Sequence, residues 1–309
     1  MAELSAIGGF VAGASAACMA VVCTNPIEVI KTRVQLQGEL MAKSNAPRVY
    51  TGLWQSLKLV GHYEGIRGLQ RGLGPAFIYQ TCLNGTRVGL YEPIRRRTND
   101  LMGYDPNKQV YGVSIFVATV TGMAGAIFGS PLFLIKTRMQ SYSPVFAIGQ
   151  QTQYRNTWHA LKALWSEGGV GALYRGCGAA VLRTGAGSSV QLPIYTAAKH
   201  FIENRKLMPD GPPTHLSASV VSGLGVAVVM NPFDVVMTRI YNQKGSMYKG
   251  VFDCFYKTVA FEGPTALYKG FVAQGLRVGP HTVLVLTFHE QTSRAVRWFE
   301  NRGKPLAAA

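Results

Sequence analysis

Pro26-Ile-Glu-Val-Ile-Lys-Thr-Arg-Val-Gln35 decides the fold, because it returns twice. Pro131-Leu-Phe-Leu-Ile-Lys-Thr-Arg-Met-Gln140 follows 105 residues on, and Pro232-Phe-Asp-Val-Val-Met-Thr-Arg-Ile-Tyr241 another 101. Two further markers repeat in phase. Glu64-Gly65 leads to Arg71-Gly72, Glu167-Gly168 to Tyr174-Arg175-Gly176, and Glu262-Gly263 to Tyr268-Lys269-Gly270. Tyr50, Tyr154 and Tyr248 precede the connecting segments. A fixed period of about 100 residues divides the chain into repeats at 1–105, 106–208 and 209–309.

Each repeat reads as an apolar stretch, a basic connection with a short helix, and a second apolar stretch. The apolar stretches fall near 5–25, 73–94, 110–135, 177–202, 216–240 and 271–291, each close to the ~20 residues that cross hydrocarbon. Short helices are expected at 53–62, 157–166 and 252–261. Each stretch carries Gly, Ser, Thr or a charge, as in bundles around a polar cavity rather than single anchors. The proline of each odd span removes a backbone donor and should kink its helix. Six spans put both termini on one side. Met1–Ser5 runs straight into the first stretch, with no presequence-like segment expected before it.

Composition agrees. Of 309 residues, 15% are charged and 48% apolar, against about 25% charged in soluble domains. The apolar content excludes disorder. The net charge of +16 fits nucleic acid or an anionic membrane surface, and the six stretches decide for the membrane. Cys18, Cys23, Cys82, Cys177 and Cys254 are scattered, with no CxxC, and read as small buried hydrophobes. No metal site, cofactor site or nucleophile–base pair is legible, so an enzyme is not expected.

The threefold Pro-x-[Asp/Glu]-x-x-[Lys/Arg]-x-[Lys/Arg] pattern, with its Glu-Gly and aromatic-basic-Gly tails, resembles the signature of the mitochondrial carrier family. The resemblance covers residues 5–300. It implies an all-α membrane protein of six transmembrane helices in three pseudosymmetric repeats, with three short matrix helices. It also implies a carrier of the mitochondrial inner membrane that works by alternating access; a monomer is expected because a complete cavity in one chain needs no partner.

In the family, the acid and base of each motif form a ring of interhelix salt bridges on the matrix side. Three residues apart, both charges lie on one helical face. Glu28 and Lys31 are present in the first repeat. Phe133 replaces the acid of the second, where Lys136 remains, and Met237 replaces the base of the third, where Asp234 remains. The family pairing is read as leaving Lys136–Asp234 as the one interhelix bridge. Lys31 then faces Phe133, Glu28 faces Met237, and Glu28 and Lys31 pair within their own helix. A thinner ring lowers the barrier to opening, unless apolar packing replaces the lost bridges. The cytosolic ring, [Phe/Tyr]-[Asp/Glu]-x-x-[Lys/Arg] on the even helices, keeps Glu92 and Arg95, then Lys199 without its acid. At Phe288 both charges are gone, and Thr292 is expected to hydrogen-bond Glu92.

An intramembrane arginine is a functional residue by default. Arg183 and Arg277 lie 12 and 11 residues before Tyr195 and Phe288, roughly 16–18 Å deeper at 1.5 Å per residue. Their planar forks suit two carboxylates or a sulfate. Tyr79, Gln80, Asn84 and Thr184 are expected to orient the anion, with Arg87 nearer the cytosolic ring. His281, four residues after Arg277, shares its face. Val21, Ala126 and Ala227 make the opposite wall apolar.

Arg183-Thr184, Arg277 and the string Tyr79-Gln-Thr-Cys-Leu-Asn-Gly-Thr-Arg87 resemble the keto-acid and dicarboxylate branch of the family. That implies transport of small dianions such as oxaloacetate, sulfate and malonate. Two alternatives stand beside it: a proton or fatty-acid carrier of the uncoupling type, and a transport-dead adaptor. The pairs Arg71-Gly72, Arg175-Gly176 and Lys269-Gly270 start the even helices, where helix N-termini attract phosphate. The resemblance implies that these are cardiolipin sites.

Overall fold

A computed structural model describes residues 6–41, 49–106, 110–146, 149–205, 211–243 and 245–302. Nine α-helices account for most of them. The first third holds α1 (Ala6–Leu36), α2 (Leu53–Leu69) and α3 (Leu73–Leu101). The second holds α4 (Tyr111–Ser141), α5 (Thr157–Leu173) and α6 (Cys177–Asn204). The last holds α7 (Pro212–Asn242), α8 (Val251–Glu262), a 3-10 turn over Pro264–Tyr268, and α9 (Phe271–Arg302).

The six long helices form a closed ring. α3 packs on α4, α6 on α7 and α9 on α1, so the last repeat meets the first. The shortest long helix has 28 residues, about 42 Å of length against ~30 Å of hydrocarbon. Among the described residues, α1, α4 and α7 are apolar enough to cross a membrane on composition alone, with mean hydropathy of 1.6–1.7. The even helices are long enough but more polar. They carry Arg183, Arg277 and Gln80, which line the interior cavity.

The short helices differ from expectation in length. α2 and α5 run to Leu69 and Leu173, α2 broken internally at Gly65 and α5 at Gly168 and Gly169. They close one end of the ring, under the C-terminal turns of α1, α4 and α7. The apolar core gathers there: Leu134, Ile135, Leu164, Ile240 and Tyr241 in one cluster, Ile30, Leu36, Tyr50 and Val60 in another.

The odd helices run continuously through Pro26, Pro131 and Pro232. Pro26 has no N–H to offer the carbonyl four residues back. That carbonyl, on Val22, accepts instead from Gln70 Nε2 at 3.0 Å. Gly72 and Gly176 cap α3 and α6 with φ of 73° and 81°, and Gly270 precedes α9 with φ of 79°. At Gly176 a side chain fails twice: φ is positive, and a Cβ would stand 2.8 Å from Ile240 Cγ2. The five cysteines are free. Cys254 is buried, but Cys23 is exposed, so the all-buried reading does not hold there.

Candidate functional site

The three arginines that end the repeated motif fix the closed end. Each is fully buried, and each reaches the glutamate of its own repeat's Glu-Gly pair. Arg33 grips Glu64 at 2.5 and 2.9 Å, and Arg239 grips Glu262 at 2.6 and 2.9 Å. Arg138 meets Glu167 at 3.8 Å. The same guanidiniums donate to carbonyls at the end of the next odd helix: Arg33 to Gln140, Arg138 to Tyr241, Arg239 to Gln35. The three contacts run around the ring in one direction. Both residues of each pair stand among the repeated sequence markers, but nothing in their spacing joins them. Their co-occurrence in all three repeats was the available signal.

Above this latch lies a cavity of about 180 Å³, lined by residues of α1, α3, α4, α6, α7 and α9. Its floor carries the motif charges, and their pairing corrects the expected one. Lys136 Nζ lies 2.5 Å from Glu28, and Lys31 Nζ lies 2.7 Å from Asp234. Lys136–Asp234 does not form, and Glu28 and Lys31 both reach across to other helices. Two interhelix bridges stand where one was expected. Phe133 and Met237, the two apolar replacements, belong to one cluster with Tyr241. The missing acid and the missing base are thus one lost pair, replaced by packing. Phe133 meets Tyr79 edge-on at 5.0 Å, and Lys136 lies over the Phe133 ring at 5.4 Å. The reason for the misreading is geometric. Spacing along a helix says which charges share a face, not which neighbour that face meets.

Arg183 and Arg277 join the same network. Arg277 Nη1 donates to Glu28 at 2.6 Å, and Arg183 Nε donates to Asp234. Each carboxylate therefore holds one lysine and one arginine. Four cations against two carboxylates leave two positive charges in the cavity. Arg277 keeps Nε without a partner.

Tyr79, Gln80 and His281 line the cavity with the arginines, as does Val21. Gly129 gives Tyr79 its place: a Cβ there would stand 2.7 Å from the ring. Thr184 lies elsewhere, its Cγ2 3.2 Å from where a Cβ on Gly122 of α4 would be. Ala126 and Ala227 are buried, outside the lining set. The side chains of Asn84 and Arg87 lie outside the described residues.

At the other end, Glu92 pairs with Arg95 at 2.7 Å and Arg96 at 3.8 Å, and Lys199 with Glu203 at 3.3 Å, all within single helices. Thr292 donates to the Ala12 carbonyl at 2.9 Å, not to Glu92. Charge pairs thus tie helices together at the end that bears the short helices.

The mitochondrial carrier protein family model matches residues 2–101, 107–206 and 209–299. The chain belongs to the mitochondrial carrier family. It is a multi-pass transporter of the mitochondrial inner membrane, not an enzyme. The carrier is 55% identical to the mitochondrial oxaloacetate transport protein of Saccharomyces cerevisiae, over 97% of this chain and 93% of that protein. It is 50% identical to the protein of the same name from Schizosaccharomyces pombe, over 96% and 93%. It is 47% identical to mitochondrial citrate transporter E of Aspergillus niger, over 96% and 95%.

At the starts of the carrier's even helices, two of the basic residues expected to hold lipid have protein partners. Arg71 lies 3.4 Å from Glu64 and over the Tyr142 ring, and Lys269 lies 2.5 Å from Glu262. Arg175 is half-buried beside Gly176.

Proposed function

We propose that the protein carries small dianions, oxaloacetate foremost and sulfate, malonate and related dicarboxylates with it, across the inner membrane by alternating access. The observation that carries this reading is the surplus of two positive charges in a small closed-ended cavity. A dianion neutralises that surplus. A monoanion leaves one charge desolvated, and burying an unbalanced charge is costly. The two proteins named for oxaloacetate transport, at 50–55% identity over nearly the whole chain, support the same substrate.

The mechanism follows from the pairing. Glu28 and Asp234 hold the arginines before substrate arrives. Substrate carboxylates take Arg277 and Arg183, with Tyr79 and Gln80 donating at the sides. Each gate carboxylate then loses one of its two cations. The bound dianion also attracts Lys136 and Lys31 and draws them from Glu28 and Asp234, so both bridges loosen together, and the matrix end opens as the cytosolic end closes. Phe133 and Met237 leave that gate with two ionic contacts instead of three. The whole cavity comes from one chain, which supports a monomeric carrier. Cardiolipin phosphates would sit at the starts of α3, α6 and α9, beside Gly72, Gly176 and Gly270. Because Arg71 and Lys269 are already paired, backbone N–H groups supply most of that attraction.

The test is exchange of labelled oxaloacetate in proteoliposomes loaded with malonate. Arg183→Ala and Arg277→Ala are each expected to lose about 30-fold or more, the loss typical of truncating a buried charge contact. Their melting temperatures should stay within a few degrees of wild type, because Lys31 and Lys136 still hold the gate. Normal exchange by either folded variant would overturn the site.

A further inference from the structure

Two lysines hold the matrix gate, and their own helices support them differently. Lys31 has Glu28 one turn before it on α1, so a carboxylate stays within reach wherever α1 moves. Lys136 has Leu132, Phe133, Met139 and Gln140 at the one-turn spacings on α4, with no carboxylate among them. The carboxylate it pairs with is Glu28 of α1, at 2.5 Å. On the reading above, that contact parts when the matrix end opens. Lys136 is buried. Between leaving Glu28 and meeting water, its charge is desolvated, and a desolvated charge needs a partner.

An aromatic face lies beneath it. Lys136 Nζ stands over the Phe133 ring, 5.4 Å from its centroid, and 6.0 Å from that of Tyr79. Both fall within the ~6 Å over which a ring face attracts a cation, and the attraction strengthens where water is excluded. The Phe133 ring is braced on two sides, by Tyr79 edge-on at 5.0 Å and by Tyr241 at 5.7 Å. Phe133 belongs to α4 itself, so it travels with Lys136 as α4 parts from α1. It also occupies the motif position that Glu28 fills in the first repeat. An acid there would bind Lys136 within its own helix by a full charge. A ring face offers a weaker hold, one that the lysine can take up and leave.

We propose that Phe133 is a positioning residue for transport. Its ring face is the seat onto which Lys136 moves as it leaves Glu28, and this seat lowers the barrier to opening the matrix end. Phe133 thus does more than fill the space of the lost ion pair. The inference rests on the alternating-access reading.

The experiment places phenylalanine bearing zero, one, two or three ring fluorines at position 133 of the full chain. Fluorines drain negative charge from the ring face in steps and leave its shape nearly unchanged. Exchange of labelled malonate is measured in malonate-loaded proteoliposomes. The kcat is expected to fall stepwise along the series, by about tenfold in all, the scale of a desolvated cation–ring contact. KM should stay unchanged, as for a contact that acts in the transition rather than on substrate. Melting temperatures of the purified series, taken with Lys136 and in Lys136→Gln, separate charge from packing. They should fall stepwise with Lys136 present and stay level in Lys136→Gln. A constant kcat along the series, or a melting series that falls equally in Lys136→Gln, overturns the seat while the carrier still moves dianions. Failure of the fluorine-free protein to exchange any dianion overturns the transport reading and this inference together.

Discussion

The first and third repeats differ from the second at the same latch. Glu64 accepts two bonds from Arg33 and one from Ser143, with Arg71 nearby. Glu262 accepts two from Arg239, one from Lys269 and one from the Leu40 backbone. Glu167 has Arg138 at 3.8 Å, and its side chain is 47% exposed. The backbone gives the cause. In repeats one and three the chain turns left-handed at the glycine after the glutamate, at Gly65 and Gly263. In repeat two the turn falls one residue later, at Gly169, and Gly168 is extended. That single-residue shift carries Glu167 outward. Threefold symmetry of the fold therefore does not mean equal strength at the three latches. The second repeat is the loose one.

The largest expected effect that sharpens this comparison is at the tight latches. Glu262→Gln or Glu64→Gln leaves a buried arginine without its counter-charge. Each should cost about 3–5 kcal/mol, read as a clear drop in melting temperature of the purified protein. A middle-sized effect is pH dependence. Burial alone would raise both carboxyls, but the bonds from Arg33 and Ser143 hold Glu64 below its usual value of 4.5. Arg239 and Lys269 do the same for Glu262. A carboxyl whose folded value is depressed contributes stability above its unfolded value and loses it as pH falls. Wild-type melting temperature should therefore fall below about pH 4.5, and less steeply in Glu64→Gln. The smallest effect is at the loose latch. Glu167→Gln should change stability by about 1 kcal/mol or less, as for exposed pairs. A Glu167→Gln loss as large as that of Glu262→Gln would break the comparison.

Much of the architecture was legible in the sequence, because a motif that returns in phase with its connecting segment dictates three equivalent helix pairs. Arg183, Arg277, Tyr79 and Gln80 were found by their depth on even helices, and the structure brings them into one cavity. The pairing of the gate charges was not legible. The order in which odd helices face each other belongs to the ring, not to any one helix. The latch arginines escaped for a related reason: their partners lie 23–31 residues away, beyond any helical spacing rule. Thr184 was misplaced by one position, since its neighbour Arg183 turns inward and Thr184 turns toward α4.

The central claim is that charge count in the cavity selects the substrate. Glu28→Gln raises the surplus from two to three, and Glu28→Gln with Lys136→Gln restores two. The direct measurement is ligand binding by thermal shift on the detergent-purified protein, with malonate and citrate compared at fixed ionic strength. A unit charge about 4 Å away at an effective dielectric of about 20 is worth about 4 kcal/mol, ample for a change of tenfold or more. The account predicts that the malonate-to-citrate preference moves toward citrate by at least that factor in Glu28→Gln and returns in the double variant. An unchanged preference in all three proteins would contradict it.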